Sequence, residues 1–101
     1  PHKLSPYKVA VFPLVKNKPE LVAKAKALYH QLQEKYMTAW DERGNVGKRY
    51  FSQDEIGTPL CVTVDYDTLE KGVVTVRDRD TMQQESINLS QIEKYIEQKL
   101  K

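Results

Sequence analysis

Two kinds of hydrophobic run alternate along this chain. Val9, Ala10, Val11 and Phe12 follow one another without a polar break, and 60–66, LCVTVDY, is similarly dense. Continuous apolar runs of this length predict strands buried on both faces, the first closed by Pro13. Between them Leu21, Val22, Ala25, Leu28, Tyr29, Leu32 and Tyr36 recur at helical spacing, with Lys24, Lys26 and Lys35 off the stripe. That spacing predicts a helix over 19–36. Asn17 is its expected cap, Pro19 suits the first turn, and Glu20 favours the positive end of the helix dipole.

The remaining segments are shorter. Residues 37–41 predict a short strand and 42–45, ERGN, a turn. Residues 46–56 predict a short helix, which Gly57 and Pro59 stop. Residues 67–72, DTLEKG, are acidic and turn-forming, and VVTVR follows at 73–77. So short a connection predicts a hairpin and hence an antiparallel pair. A last strand is expected at 85–89. Asn88 with Gln91, or Ser90 with Glu93, is expected to cap a final helix whose inner face carries Ile92, Tyr95, Ile96 and Leu100. The order β-α-β-α-β-β-β-α predicts a layered α/β sandwich around a mixed sheet. Residues 1–7 hold two prolines and no periodicity, so they read as a linker ahead of a single domain at 8–101.

Composition narrows the chemistry. The 101 residues suffice for one modest core. No run approaches the ~20 apolar residues that cross a bilayer, and no basic-then-apolar leader opens the chain; no membrane partner is expected. Pro1 in place of Met suggests a piece of a longer polypeptide. The one cysteine, Cys61, excludes an internal disulfide and a cysteine metal cluster, and fits a reducing cytosol. It lies within an apolar strand, where a thiol behaves as an inert small hydrophobe. His2 and His30 have no partner at metal-binding spacing. Gly44, Gly47, Gly57 and Gly72 do not cluster at a strand-to-helix turn, so no phosphate cradle is expected. The acidic pairs Asp54/Glu55, Asp65/Asp67 and Asp78/Asp80 read as turn formers and ion-pair partners rather than acid–base catalysts. Asp54 and Glu55 are expected to cap or to pair with Arg49.

Net charge is only +2, but it is unevenly spread: residues 1–36 hold seven Lys and two Glu, and 51–80 hold seven acids and three bases. What stands out is a polar set of Arg43, Lys48, Arg49, Tyr50 and Gln53, then Asp65 and Asp67, then Arg77, Asp78, Arg79 and Asp80. Planar Arg donors, carboxylate acceptors and a stacking Tyr suit splayed single-stranded RNA bases. The same set suits a salt-bridge network, and composition alone leaves the two open.

Three segments add to this: 7–14, YKVAVFPL; 46–59, VGKRYFSQDEIGTP; and 72–82, GVVTVRDRDTM. Together, in this order, they resemble the C-terminal anticodon-binding domain of the dimeric class II type of glycyl-tRNA synthetase, over nearly the whole chain. Phe51 departs from the pattern, where some relatives carry a basic or small residue. The resemblance implies a three-layer α/β/α sandwich with a five-stranded mixed sheet. It implies a homodimeric cytoplasmic parent whose preceding catalytic domain, using ATP and Mg2+, attaches glycine to tRNA, with no catalytic residue, metal or cofactor in this domain. It implies an anticodon lying over the sheet edge near Arg43, Arg49, Thr68 and Arg77. Arg77, at the end of a strand, is the first candidate reader, with Asp67 and Thr68 next. Arg79 and Asp80 either contact RNA or brace Arg77, and Lys48, Arg49 and Tyr50 hold the backbone or stack. Glycine codons begin GG, so two anticodon letters are C, and a mixed Arg/Asp surface complements cytosine. The same fold also resembles a protein-interaction domain of a mitochondrial DNA polymerase accessory subunit, a competing reading that the glycyl-type motifs disfavour. A small α/β enzyme is the third, with no nucleophile, glycine loop or metal set to support it.

Overall fold

The computed structural model describes residues 7–42 and 46–100. Most of the expected linker, and Arg43 with most of the turn expected at 42–45, lie outside the described residues. The elements run β1 (Val9–Pro13), α1 (Pro19–Gln33), β2 (Thr38–Trp40), α2 (Val46–Ile56), β3 (Leu60–Val64), α3 (Tyr66–Lys71), β4 (Val73–Asp78), β5 (Gln84–Asn88) and α4 (Ile92–Lys99), with a 3-10 turn at Leu89–Gln91 before α4.

The two dense apolar runs are central strands. Every residue of β1 and β3 is buried, and the two pair in parallel with Val9 opposite Leu60 and Pro13 opposite Val64. β2 flanks β1 in parallel, whereas β4 and β5 extend the sheet antiparallel beyond β3. The five-stranded mixed sheet therefore has the order β2-β1-β3-β4-β5.

Strand alternation sorts the side chains into two clusters. On one face Val9, Val11, Leu60, Val62, Val64, Val74 and Val76 meet Leu21, Ala25, Leu28 and Leu32 of α1 and Ile92 and Ile96 of α4. On the other, Ala10, Phe12, Ala39 and Cys61 pack with Tyr7 and with Tyr50 of α2. A fully buried Val, Leu or Ile contributes about 1.5–3 kcal/mol, so the first, larger face carries most of the hydrophobic stabilisation. Helices on both sides of one sheet make the three layers that the sequence predicts.

Four local expectations are corrected. The connection from β3 to β4 is not a tight turn but the helix α3. Asp65 Oδ1 accepts from the Thr68 N–H at 3.3 Å and Thr68 Oγ1 accepts from the Asp65 N–H at 3.0 Å, a closed capping box. Gly72, at φ 71°, ends α3 in the left-handed conformation. The antiparallel pairing stands, because a helix of six residues still returns the chain to the neighbouring position. At the start of α1, the N-cap is Lys18, not Asn17, and its carbonyl accepts from Leu21 and Val22 at 3.0 and 3.1 Å. The same helix stops at Gln33, short of 36: Lys35 donates to the Leu32 carbonyl three residues back, which tightens the last turn, and Tyr36 shares that carbonyl. The last helix begins without a side-chain cap from Asn88 or Gln91; the 3-10 turn leads into it directly.

Candidate nucleic-acid interface

The second sheet face is covered unevenly. Val74 and Val76 point into the larger core, so Val73, Thr75 and Arg77 of β4 face the α2 side. They stand opposite Asn88, Ser86 and Gln84 of β5, which are exposed. α2 packs over the β1–β3 half, where the Tyr50 ring meets Phe12 at 5.4 Å and 64° and its hydroxyl lies 2.8 Å from Thr63 Oγ1. Burial is the main cause that raises the Tyr50 phenol above its ordinary range, so it keeps its proton.

Arg77 sits on the boundary between the covered half and the open half. It is only 9% exposed, and a buried guanidinium needs a counter-charge. Asp54, near the end of α2, supplies it: Nη1 and Nη2 of Arg77 donate to Oδ1 and Oδ2 at 2.9 and 3.1 Å. This two-point pairing holds Arg77 protonated above the usual range, against the effect of burial. The guanidinium also lies 4.9 Å over the Tyr50 ring, and Nη2 approaches Met82 Sδ at 3.0 Å. Met82 has φ 62°, an uncommon conformation for a residue with a side chain. Arg79 reaches the same helix end, its Nε donating to the Asp54 main-chain carbonyl at 3.0 Å. Its Nη1 is 3.7 Å from Asp80. One residue of α2 thus holds both arginines, one by side chain and one by backbone.

The other sequence-selected residues are scattered around this centre. Lys48 is exposed on the first half of α2. Arg49 is 2% exposed and donates to the main-chain carbonyls of Pro13 and Leu14, with its guanidinium 5.4 Å over the Phe12 ring. Asp54 therefore pairs with Arg77, not with the expected Arg49. Thr68 is buried and committed to its capping box, whereas Asp67 is exposed in the first turn of α3. Thr75 donates to Asp65 Oδ2 at 3.2 Å, which ties that box to β4. Gln53, also buried, accepts from the Thr58 hydroxyl at 2.7 Å. Arg43 lies outside the described residues.

Sequence reasoning missed Asp54 as the centre of the cluster. The signal was present: a lone Arg at the position after Val73 and Thr75 on one strand face demands an acid across the sheet. No local spacing could say which of the fourteen acids it was.

Cys61 is 2% exposed, and burial pushes its thiol up to about 12. Among the described residues no three His, Cys, Asp or Glu side chains gather where they could hold a metal ion, and no helix is long and apolar enough to cross a membrane.

These features define an α/β domain with a mixed sheet whose half-open second face interleaves Arg donors, carboxylate acceptors and a stacked Tyr. Residues 8–99 match the model of the anticodon binding domain, and the chain belongs to that family. It is similar to a glycine–tRNA ligase of Streptomyces coelicolor, 55% identical over 98 residues, covering 97% of this chain and 21% of the relative. A glycine–tRNA ligase of Alkaliphilus oremlandii is 51% identical over 98 residues, with 97% and 21% covered. One from Borreliella afzelii is 52% identical over 94 residues, with 93% and 21% covered. The chain spans about a fifth of the length of these curated relatives.

Proposed function

We propose that this chain reads the anticodon loop of glycine tRNA, accepting C at the second and third anticodon letters and tolerating any first letter. The observation that carries the reading is the Arg77–Asp54–Arg79 cluster stacked on Tyr50 beside an exposed polar strand face. A purely basic patch binds phosphate without regard to sequence, whereas adjacent donors and acceptors complement base edges. Family membership and the similarity to glycine–tRNA ligases support the choice of tRNA.

In this reading residues 8–101 form the anticodon-reading domain and 1–7 lead into it from a catalytic domain of a homodimeric, cytoplasmic glycine–tRNA ligase. That other domain, with ATP and Mg2+, joins glycine to the 3′ end of the tRNA. The present residues contribute recognition. Lys48 of α2 and Asp67 of α3, both exposed, contact the loop around the bases, and Tyr50 and Arg77 form the floor.

The test is binding of this chain to anticodon stem-loops by titration calorimetry at fixed salt. Replacing either C weakens binding, and replacing the first letter leaves it unchanged. Equal affinity for all variants overturns the reading.

A further inference from the structure

We infer that Asp54 is the residue that selects cytosine, with Arg79 as its neighbouring donor, and that Arg77 acts beneath them as a positioning residue. This rests on the anticodon reading above and assigns the roles within its site.

The argument begins with what each side chain has left to offer. Arg77 has a side chain only 10% exposed, both of its terminal nitrogens are bonded to Asp54, and one also meets Met82 Sδ. Its flat face is taken by the Tyr50 ring. Asp54 is different: its side chain is 25% exposed, and each carboxylate oxygen has a second lone pair beyond the one that Arg77 uses. The Arg79 side chain is 32% exposed; its Nε is bonded to the Asp54 carbonyl and its Nη1 lies 3.7 Å from the exposed Asp80, which leaves N–H donors of its fork for an incoming base. The cluster thus shows an incoming base an acceptor from Asp54 and donors from Arg79. Cytosine presents a matching edge, with an amino donor next to N3 and O2 acceptors. Uracil, with a carbonyl in place of that amino group, sets two acceptors against each other at Asp54.

The arrangement is preorganised. Asp54 is held by Arg77, Arg77 by the Tyr50 ring, and Tyr50 by Thr63 of β3 at 2.8 Å, a chain of contacts that ends in the buried sheet. An acceptor held in this way loses little freedom when the base arrives. The pairing also partly neutralises the Asp54 carboxylate, which lowers its repulsion of the RNA backbone.

The test uses the chain and anticodon stem-loops with C or U at the second or third letter. The wild-type chain prefers C at both. Asp54→Asn keeps the shape and one acceptor for Arg77, but its amide can turn to donate to the uracil carbonyl. At one of the two letters the preference for C over U therefore falls on the order of tenfold or more, with a gain in affinity for the U loop that mere loosening of the fold cannot produce. Equal weakening toward every loop, with the preference intact, overturns the inference and leaves the anticodon reading standing. A wild-type chain indifferent to both letters overturns the reading and this inference with it. If Asp54→Asn does not fold, Arg79→Met decides: loss of the C preference at one letter supports the assignment, and a uniform change or none overturns it.

Discussion

Arg49 of α2 donates to the carbonyl of Pro13, the last residue of β1, and at 3.3 Å to that of Leu14. A strand that ends inside the protein leaves carbonyls turned away from water, and each one buried without a partner costs about 1–3 kcal/mol. The arginine caps a strand in the way that a side chain caps a helix. Burial lowers its guanidinium from the ordinary value, and the Asp41 and Glu42 carboxylates oppose that shift.

Arg49→Met is expected to destabilise the chain by about 2–3 kcal/mol in urea unfolding, while the folded fraction keeps its ranking of anticodon loops. A loss below about 0.5 kcal/mol, within the range of ordinary surface substitutions, contradicts the capping role. A folded variant with altered ranking places Arg49 among the base readers.

Alkaline stability follows from two groups. Burial pushes the Cys61 thiol up to about 12, and burial with a hydrogen bond to Glu85 does the same to the Tyr95 phenol. Each folded value lies above the unfolded one, so the folded state keeps a proton that the unfolded chain gives up. Their contribution is present in full below about pH 8.5–10, the unfolded range, and is lost as pH rises toward about 12. Cys61→Ala should flatten the fall of unfolding free energy across that window. An unchanged slope removes the thiol from the account.

Gly72 closes α3 at φ 71°, and a Cβ added there meets nothing within 4 Å. Backbone conformation alone opposes a side chain, so Gly72→Ala should cost about 1–2 kcal/mol. Gly72→Asn should cost less, because Asn tolerates the left-handed region. Equal stability of the three chains by thermal melting refutes a conformational role for this glycine.

Lys48 is exposed at the start of α2. Lys48→Ala should weaken binding to every anticodon loop by one common factor and reduce the slope of log affinity against log salt by about one. A change in the ranking of the loops assigns Lys48 to base contact instead.

The sheet was legible because its signal is local. Unbroken apolar runs at Val9 and Leu60 mark double-faced burial, and those strands lie at the centre of the sheet. The helix over DTLEKG was not, since its capping box depends on Asp65, a residue read as the strand's tail, bonding Thr68. Arg77 drew attention as a strand-end arginine, but its partner Asp54 lies 23 residues earlier on another element. Parallel pairing of β1 with β3 and the docking of α2 bring the two together, and neither leaves a trace in local spacing. The strand-end bonds of Arg49 were illegible for the same reason: its partners at Pro13 and Leu14 lie 36 and 35 residues earlier, at the end of another element.

The register of β1 has a consequence for synthesis. Val9 pairs with Thr38 on one side and Leu60 on the other, so the earliest of these five strands stands between two that come later. At about 5–20 residues per second, its apolar run waits several seconds for β3, with only α1 and the short β2 available to it in the meantime. During that interval VAVFP is the segment a chaperone would hold, and α1 folding against it is the earliest native shelter the nascent chain can offer.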